Sequence, residues 1–297
     1  MVNSGLPPEL ERNVFKLAAL DRPLSIPKLI RVAWRVKQWV EPLLYRTLVI
    51  DDKPIHGIPC CDMDTFRRIT ETKSPDFLAD AVRNVMVGSS DDDHLQTIFS
   101  ACPGIQNLYS SGNPYAPRAA LDILPLRHLY CALGTVFDSS AHVHDAGSRR
   151  IFAHLTHLQL FRGGPEPRDN ELFVSTLAQI PNLSHLSMYP TLQPIYSQIL
   201  DACTHLRVLV VLTMQIWRGE QYAGLSDVRF VRMRPRRSAG VDWELGILTG
   251  NNFWARAEAI VARKIAGKRS IQTMKDDMGR FISTSILQAM LYYPQLL

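Results

Sequence analysis

The sequence predicts an α/β solenoid: short parallel strands stacked edge to edge, each fed by a helix, with a small helical module in front and a helical cap behind. Three observations predict it. The first is a pattern Φ-x-x-Φ-x-Φ, with Φ an apolar side chain, found in seven stretches. They are Val82/Val85/Val87, Ile105/Leu108/Ser110, Leu126/Leu129/Cys131, Leu155/Leu158/Leu160, Leu183/Leu186/Met188, Leu206/Leu209/Val211 and Val228/Val231/Met233, and Ser110 is the one weak anchor. The starts at 82, 105, 126, 155, 183, 206 and 228 lie 21 to 29 residues apart. The second is an apolar or small residue three places before each start: Ala79, Cys102, Ile123, Phe152, Ile180, Cys203 and Leu225. These residue types favour burial. The third is helical periodicity upstream of several starts, as in Leu95, Ile98, Phe99 and Cys102, or Leu172, Phe173, Leu177 and Ile180.

Each unit therefore reads as helix, tight turn, short strand. One unit cannot bury its own apolar face, so neighbours must stack in parallel. The spacing resembles that of leucine-rich repeats, whose stacked surfaces bind other molecules more often than they catalyse. The solenoid is placed at residues 46–250, preceded by a helical module over 1–45 and closed by a helical cap and tail over 251–297.

In the first module, Leu6-Pro-Pro-Glu-Leu10 starts a helix, because proline suits a first turn whose N–H has no partner. Leu10, Val14 and Leu17 line one face of it, and Asp21-Arg-Pro23 stops it. Ser25-Ile-Pro27 starts a second helix with Leu29, Val32, Val36 and Trp39 on one face, ended by Glu41-Pro42. Leu43 to Ile50 reads as a turn running into a first strand.

Bulk properties bound the function. The 297 residues suffice for a sizeable core, and 46% hydrophobic with 21% charged residues is ordinary for a folded chain. The net charge of +5 is too mild to imply nucleic acid as a partner. No run of eighteen apolar residues occurs and the first residues lack a secretory pattern, so neither a membrane nor a signal peptide is expected. An odd number of cysteines, 5, points to reduced thiols and a cytoplasmic or nuclear location. Hydrolase, zincin, P-loop and dinucleotide motifs are absent, so no catalytic residue and no cofactor is nominated and the protein is expected not to be an enzyme. Cys60-Cys61 with His56 and Asp62 lacks a second ligand pair and reads as a loop rather than a metal site. Asp91 to Asp93 read as a helix cap. The stretch Arg232 to Arg237 reads as a solvated basic loop.

The residues Leu6-Pro-Pro-Glu-Leu10 with Val14-Phe15, then Val32, Trp34, Val36 and Trp39, resemble the F-box, a small three-helix module. The remainder is similar to the divergent repeats of a family of short fungal F-box proteins, and Trp243-Glu-Leu-Gly with Phe253-Trp-Ala-Arg resembles that family's C-terminal end. The likeness spans about residues 5–268. It implies a substrate-recognition adaptor of a cullin-RING ubiquitin ligase. Leu6, Pro7, Leu10, Val14 and Phe15 would grip a Skp-type adaptor protein joined to the cullin complex, and the repeats would hold an unknown protein substrate. After Leu20 the chain departs from the family pattern, with Asp21-Arg-Pro-Leu-Ser in place of an aspartate-leucine step. Read from the residues alone, the same helices serve equally as a cap on the first repeat.

Alternate side chains of a strand point to opposite faces. With motif positions one, four and six facing the core, positions three and five face outwards. Down the stack this gives Asn84/Met86, Asn107/Tyr109, His128/Tyr130, His157/Gln159, His185/Ser187, Val208/Val210 and Phe230/Arg232. Adjacent strands lie about 4.8 Å apart, so His128, His157 and His185 form a column flanked by Tyr109 and Tyr130. Tyr109, His128, Tyr130, His157, Gln159 and His185 are thus the candidate substrate face. A protein contact, a metal or plain solvated surface all remain open readings of it. Asn252 to Ile265 reads as an amphipathic helix, capped by Asn252, ended by Gly267 and lying over the last repeat.

Overall fold

Eight strands form one parallel sheet in the order of the sequence. They are β1 (Thr47–Ile50), β2 (Asn84–Val87), β3 (Asn107–Ser110), β4 (His128–Ala132), β5 (His157–Phe161), β6 (His185–Met188), β7 (Val208–Leu212) and β8 (Phe230–Met233). The computed structural model describes residues 6–51, 60–88, 92–110, 118–137, 149–161, 169–189, 195–213, 225–235 and 238–267. His56, Asp91, most of the loops placed near 134–150 and 161–170, and the tail 270–297 lie outside the described residues. The result is an α/β solenoid, consistent with a leucine-rich-repeat-like fold.

The strands meet where the pattern demands. Positions one and four of the first six motifs, twelve residues from Val82 to Leu209, are each no more than 2% exposed. In register, Leu108, Leu129, Leu158, Leu186 and Leu209 form one continuous row. A repeating hydrogen bond joins the rungs. The carbonyl just before each strand accepts two N–H groups from the next rung: Arg46 from Arg83 and Asn84, Arg83 from Gln106 and Asn107, Gln106 from Arg127 and His128, and so on to Ser184. Buried backbone groups are thereby satisfied from rung to rung.

The helices α4 (Met63–Thr72), α5 (Pro75–Ala81), α6 (Asp92–Ala101), α7 (Arg118–Leu121), α8 (Leu133–Val136), α9 (Asn170–Ala178) and α10 (Ile195–Ala202) carry the outer layer, with a 3₁₀ turn at Arg150–Phe152. Helix α4 follows the Cys60-Cys61 stretch read as a loop. Asp62 caps it, its Oδ1 accepting from Thr65 N at 2.7 Å, and Cys61 bridges to Ile50. The slot three places before each motif is buried at Cys102, Phe152, Ile180 and Cys203. At Ile123 the expectation fails: Ile123 is 53% exposed, and Leu124 turns inwards instead, its N–H bonding the Leu121 carbonyl. The four-residue helix α7 ends too early to deliver Ile123 to the core.

Gly104 shows how tightly the turns are built. A Cβ there would run into the Ala79 carbonyl, which already accepts from Arg83 Nη1. Gly104→Ala should therefore destabilise by about 1–3 kcal/mol through overpacking. Urea unfolding measures this, and a loss under about 0.5 kcal/mol would mean the turn relaxes freely.

The first module packs on itself. Its helices are α1 (Pro8–Asp21), α2 (Ile26–Leu29) and α3 (Trp34–Tyr45), around Ala19, Ile26, Val36 and Val40. Arg35 donates two hydrogen bonds to Glu11, at 3.0 and 2.9 Å, tying α3 to α1. The second helix differs from expectation. It stops after Leu29, resumes at Trp34, and leaves Val32 in an exposed turn. Nor does it end at Pro42. Packing of Val40 and Leu43 on the module core carries α3 through the proline to Tyr45.

The last strand departs most. In β8, Phe230 pairs with Leu209 and Val231 with Val210, one residue out of the expected register. A one-residue slip turns every side chain to the other face. Phe230 consequently joins the helix-side core, Val231 and Met233 face the opposite side, and Val228 is 42% exposed. Asp227 is the cause. Its carboxylate accepts from Arg229 N at 2.8 Å and its carbonyl from Phe230 N, capturing the two donors that the rung pattern would direct elsewhere. The Arg229 guanidinium then fans onto the Leu200, Cys203 and Leu206 carbonyls.

Candidate functional site

Two places carry the candidate residues: the outward side of the helical module, and the sheet face turned away from the outer helices. On the module, Leu6, Leu10, Val14 and Leu17 are 60%, 50%, 54% and 66% exposed. Leu10, Val14 and Leu17 sit on α1 at helical spacing, so they form one apolar stripe. Pro7 is exposed beside them. Phe15 differs from its four companions, because it points inwards and packs against the module core. Trp34 is 70% exposed at the start of α3, with the Lys37 ammonium 5.2 Å from its ring.

The histidine column is present. His128 and His157 lie 4.1 Å apart between ring centroids, and His157 and His185 4.0 Å apart and nearly parallel. Their solvent exposure, however, is corrected by the C-terminal helices. Helices α11 (Ala239–Thr249) and α12 (Phe253–Ile265) lie across this face and bury it. Tyr109, Tyr130, Gln159 and His185 are 8%, 2%, 0% and 3% exposed, and His128 and His157 are part-buried. The helix expected to cover only the last repeat contacts β7 and β8 and also reaches back to β4 through Trp254.

The sequence explains how the covering helices form. Ser238 caps α11 by accepting from Val241 N, and Gly250 ends it in the left-handed region at φ 70°. Asn252 caps α12 by accepting from Ala255 N, and Gly267 follows its end at φ 67°. Asp242, 1% exposed, accepts from Phe253 N at 2.7 Å and from Arg256 at 3.1 Å, pinning the two helices together. Lys264 Nζ donates to the Phe230 carbonyl at 2.6 Å and anchors the far end of α12 to β8.

Two tryptophans seat these helices on the sheet. Trp243 Nε1 donates to Asn107 Oδ1 at 2.7 Å, and its ring lies 6.1 Å from Tyr109. Trp254 Nε1 donates to the Tyr130 hydroxyl at 3.0 Å, and it sets its edge against His157 and His185 at 5.3 and 5.6 Å. They stand in the stretches Trp243-Glu-Leu-Gly and Phe253-Trp-Ala-Arg. That they close over the tyrosines and histidines is decided by contacts more than 120 residues apart, which no local pattern signals.

Electrostatics follow from burial. The His128 imidazole is pushed down to about 4 by burial, helped by His185 and Arg127. His157 is pushed lower still by burial between His128 and His185. Burial also lowers His185, partly offset by Glu258, whose Oε1 lies 3.0 Å from its Nε2. Three neutral imidazoles therefore stack at neutral pH. They lie face to face rather than converging on a point, and no group of three or more metal-binding side chains gathers among the described residues. Gln159 and Ser187, paired across β5 and β6, and the Glu244 carboxylate are buried without a hydrogen-bond partner among the described residues. Burial raises Glu244 to about 7. Unmet polar groups in a covered face lower the net stability of the cover.

Comparisons with known proteins add little. No family model matches the chain, and no curated protein matches it. Among solved structures, the leucine-rich repeat-containing protein LegL7 from Legionella pneumophila is similar over 61% of this chain and 69% of its own, at 15% identity and a TM-score of 0.32. That likeness is too slight to argue from. The repeat architecture rests on the eight-stranded sheet itself. No described helix is long and apolar enough to cross a membrane.

Proposed function

We propose that the chain is a non-enzymatic protein-interaction scaffold whose N-terminal helices dock a Skp-type adaptor, making it a substrate-recognition adaptor of a cullin-RING ubiquitin ligase. The observation that carries this reading is the bare stripe Leu6, Leu10, Val14 and Leu17. A module that served only as a cap would turn its apolar stripe towards the solenoid. Here α3 makes the contacts with α5 and β1, while the α1 stripe stays open. Contiguous exposed apolar side chains mark interaction surfaces. Leu6, Pro7, Leu10 and Val14 are the contact residues, and Phe15 supports them from inside. Such a complex would act in the cytoplasm or nucleus.

A protein substrate is the second partner. Contact through Tyr109, His128, Tyr130, His157, Gln159 and His185 would require α11 and α12 to move aside. The plainer alternative is a scaffold with no ligase link.

Binding of purified Skp-type adaptor to the purified chain tests the proposal. Wild type should be retained, and Leu10→Asp with Val14→Asp should weaken binding at least hundredfold. Because both side chains are about half exposed, melting should barely change. Equal binding by wild type and the double variant would refute docking through this stripe. No binding by wild type would leave the scaffold reading alone.

A further inference from the structure

We propose that the histidine column is a proton-sensitive latch, holding α12 on the sheet while its rings are neutral and releasing the helix when they take up protons. The geometry sets up the conflict. Three imidazoles stack at 4.1 and 4.0 Å, and Trp254 closes over two of them. Like charges at that separation, away from water, repel strongly.

The charged groups facing the column come from every element around it. Helix α12 brings Glu258 against His185. Arg127 at the head of β4 and Arg207 at the head of β7 add positive charge. Arg256 of α12 is paired with Asp242 of α11, and Glu244 of α11 acts on Tyr109 rather than on the histidines. Lys264 is bound to the Phe230 carbonyl at the far end of α12. Among the described residues, one carboxylate therefore faces three imidazoles and two guanidinium groups.

The hydrogen bonds grade the response. Glu258 only accepts, so in the neutral ring His185 Nε2 carries the proton, while Nδ1 lies 2.8 Å from the Ser184 hydroxyl. A first proton on His185 is met by Glu258. A second, on His157, meets no carboxylate among the described residues. Its Nδ1 reaches the Thr156 hydroxyl at 2.9 Å, and its faces lie against two other imidazoles. Lifting α12 lets water reach the rings and restores ordinary basicity.

The sign is fixed by the depressed basicity of the seated rings. Their contribution to closure is complete above the ordinary histidine value and is lost as pH falls towards 4. With an ordinary value near 6.5, one freed imidazole favours opening roughly thirtyfold at pH 5.

Hydrogen exchange of the full chain, corrected for the intrinsic pH dependence of exchange, reads the latch. Between pH 7.5 and pH 5, protection of peptides from 253–265 should fall at least tenfold, while those from 92–110 hold. His157→Gln should flatten that profile, and Glu258→Gln should move opening to higher pH. A pH-independent α12, or loss of protection in both regions together, overturns the proposal. So does a His157→Gln profile that follows wild type. If His157→Gln does not fold, His128→Gln carries the same test.

Discussion

Trp254→Ala should destabilise the protein by about 3–5 kcal/mol, the range for removing a large buried aromatic. The side chain is 3% exposed. It stacks on Phe253 at 4.2 Å between ring centroids, lies edge-on to His157 and His185, and donates to the Tyr130 hydroxyl. Its removal opens a cavity over the column and leaves the Tyr130 oxygen, on a residue 2% exposed, without that donor. Water would then reach the column, and the histidines should titrate nearer their ordinary range. Urea unfolding gives the first quantity and NMR titration of the imidazoles the second. Trp254→Phe separates the causes. It retains most of the ring and loses the N–H, so about 1 kcal/mol should be missing. A loss below 1 kcal/mol for Trp254→Ala would mean that α12 is not seated as described.

Leu158→Ala should cost about 2–5 kcal/mol. Leu158 is fully buried in β5, midway along the sheet, and its register neighbours Leu129 and Leu186 are equally buried. In a solenoid each rung is supported chiefly by its neighbours, so a defect at the middle weakens both halves. Val228 provides the contrast. It holds position one of the last motif, yet at 42% exposure Val228→Ala should change stability by no more than about 0.5 kcal/mol. Parallel thermal and urea unfolding of the two variants decides the matter. Similar losses at both sites would contradict the register slip at β8 as well as the burial of the leucine row.

The repeat pattern was legible because it is local. A strand of four or five residues needs alternate apolar side chains, and a feeding helix needs them three and four apart; both periods can be read without knowing what lies opposite. Leu126, Leu155 and Leu183 declared the core in this way, and the column of His128, His157 and His185 followed from equal phasing. The slip at β8 was not legible from apolar positions. It hangs on Asp227, whose side chain competes for backbone donors, although an aspartate three residues before a strand is a recognisable turn former. The inward turn of Phe15 was likewise hidden, since Phe15 and Val14 are adjacent and both apolar, and only packing on the module core selects between them.

By itself, the sequence determined the parallel rungs, their buried leucine row and which residues stand together on the other side. Tertiary structure alone decided that this other side is covered. The reason is physical: a strand's alternation says that two faces differ, but whether the second meets water or another element depends on contacts such as Trp254 to Tyr130 and Trp243 to Asn107, made across more than a hundred residues. Such contacts leave no period in the chain.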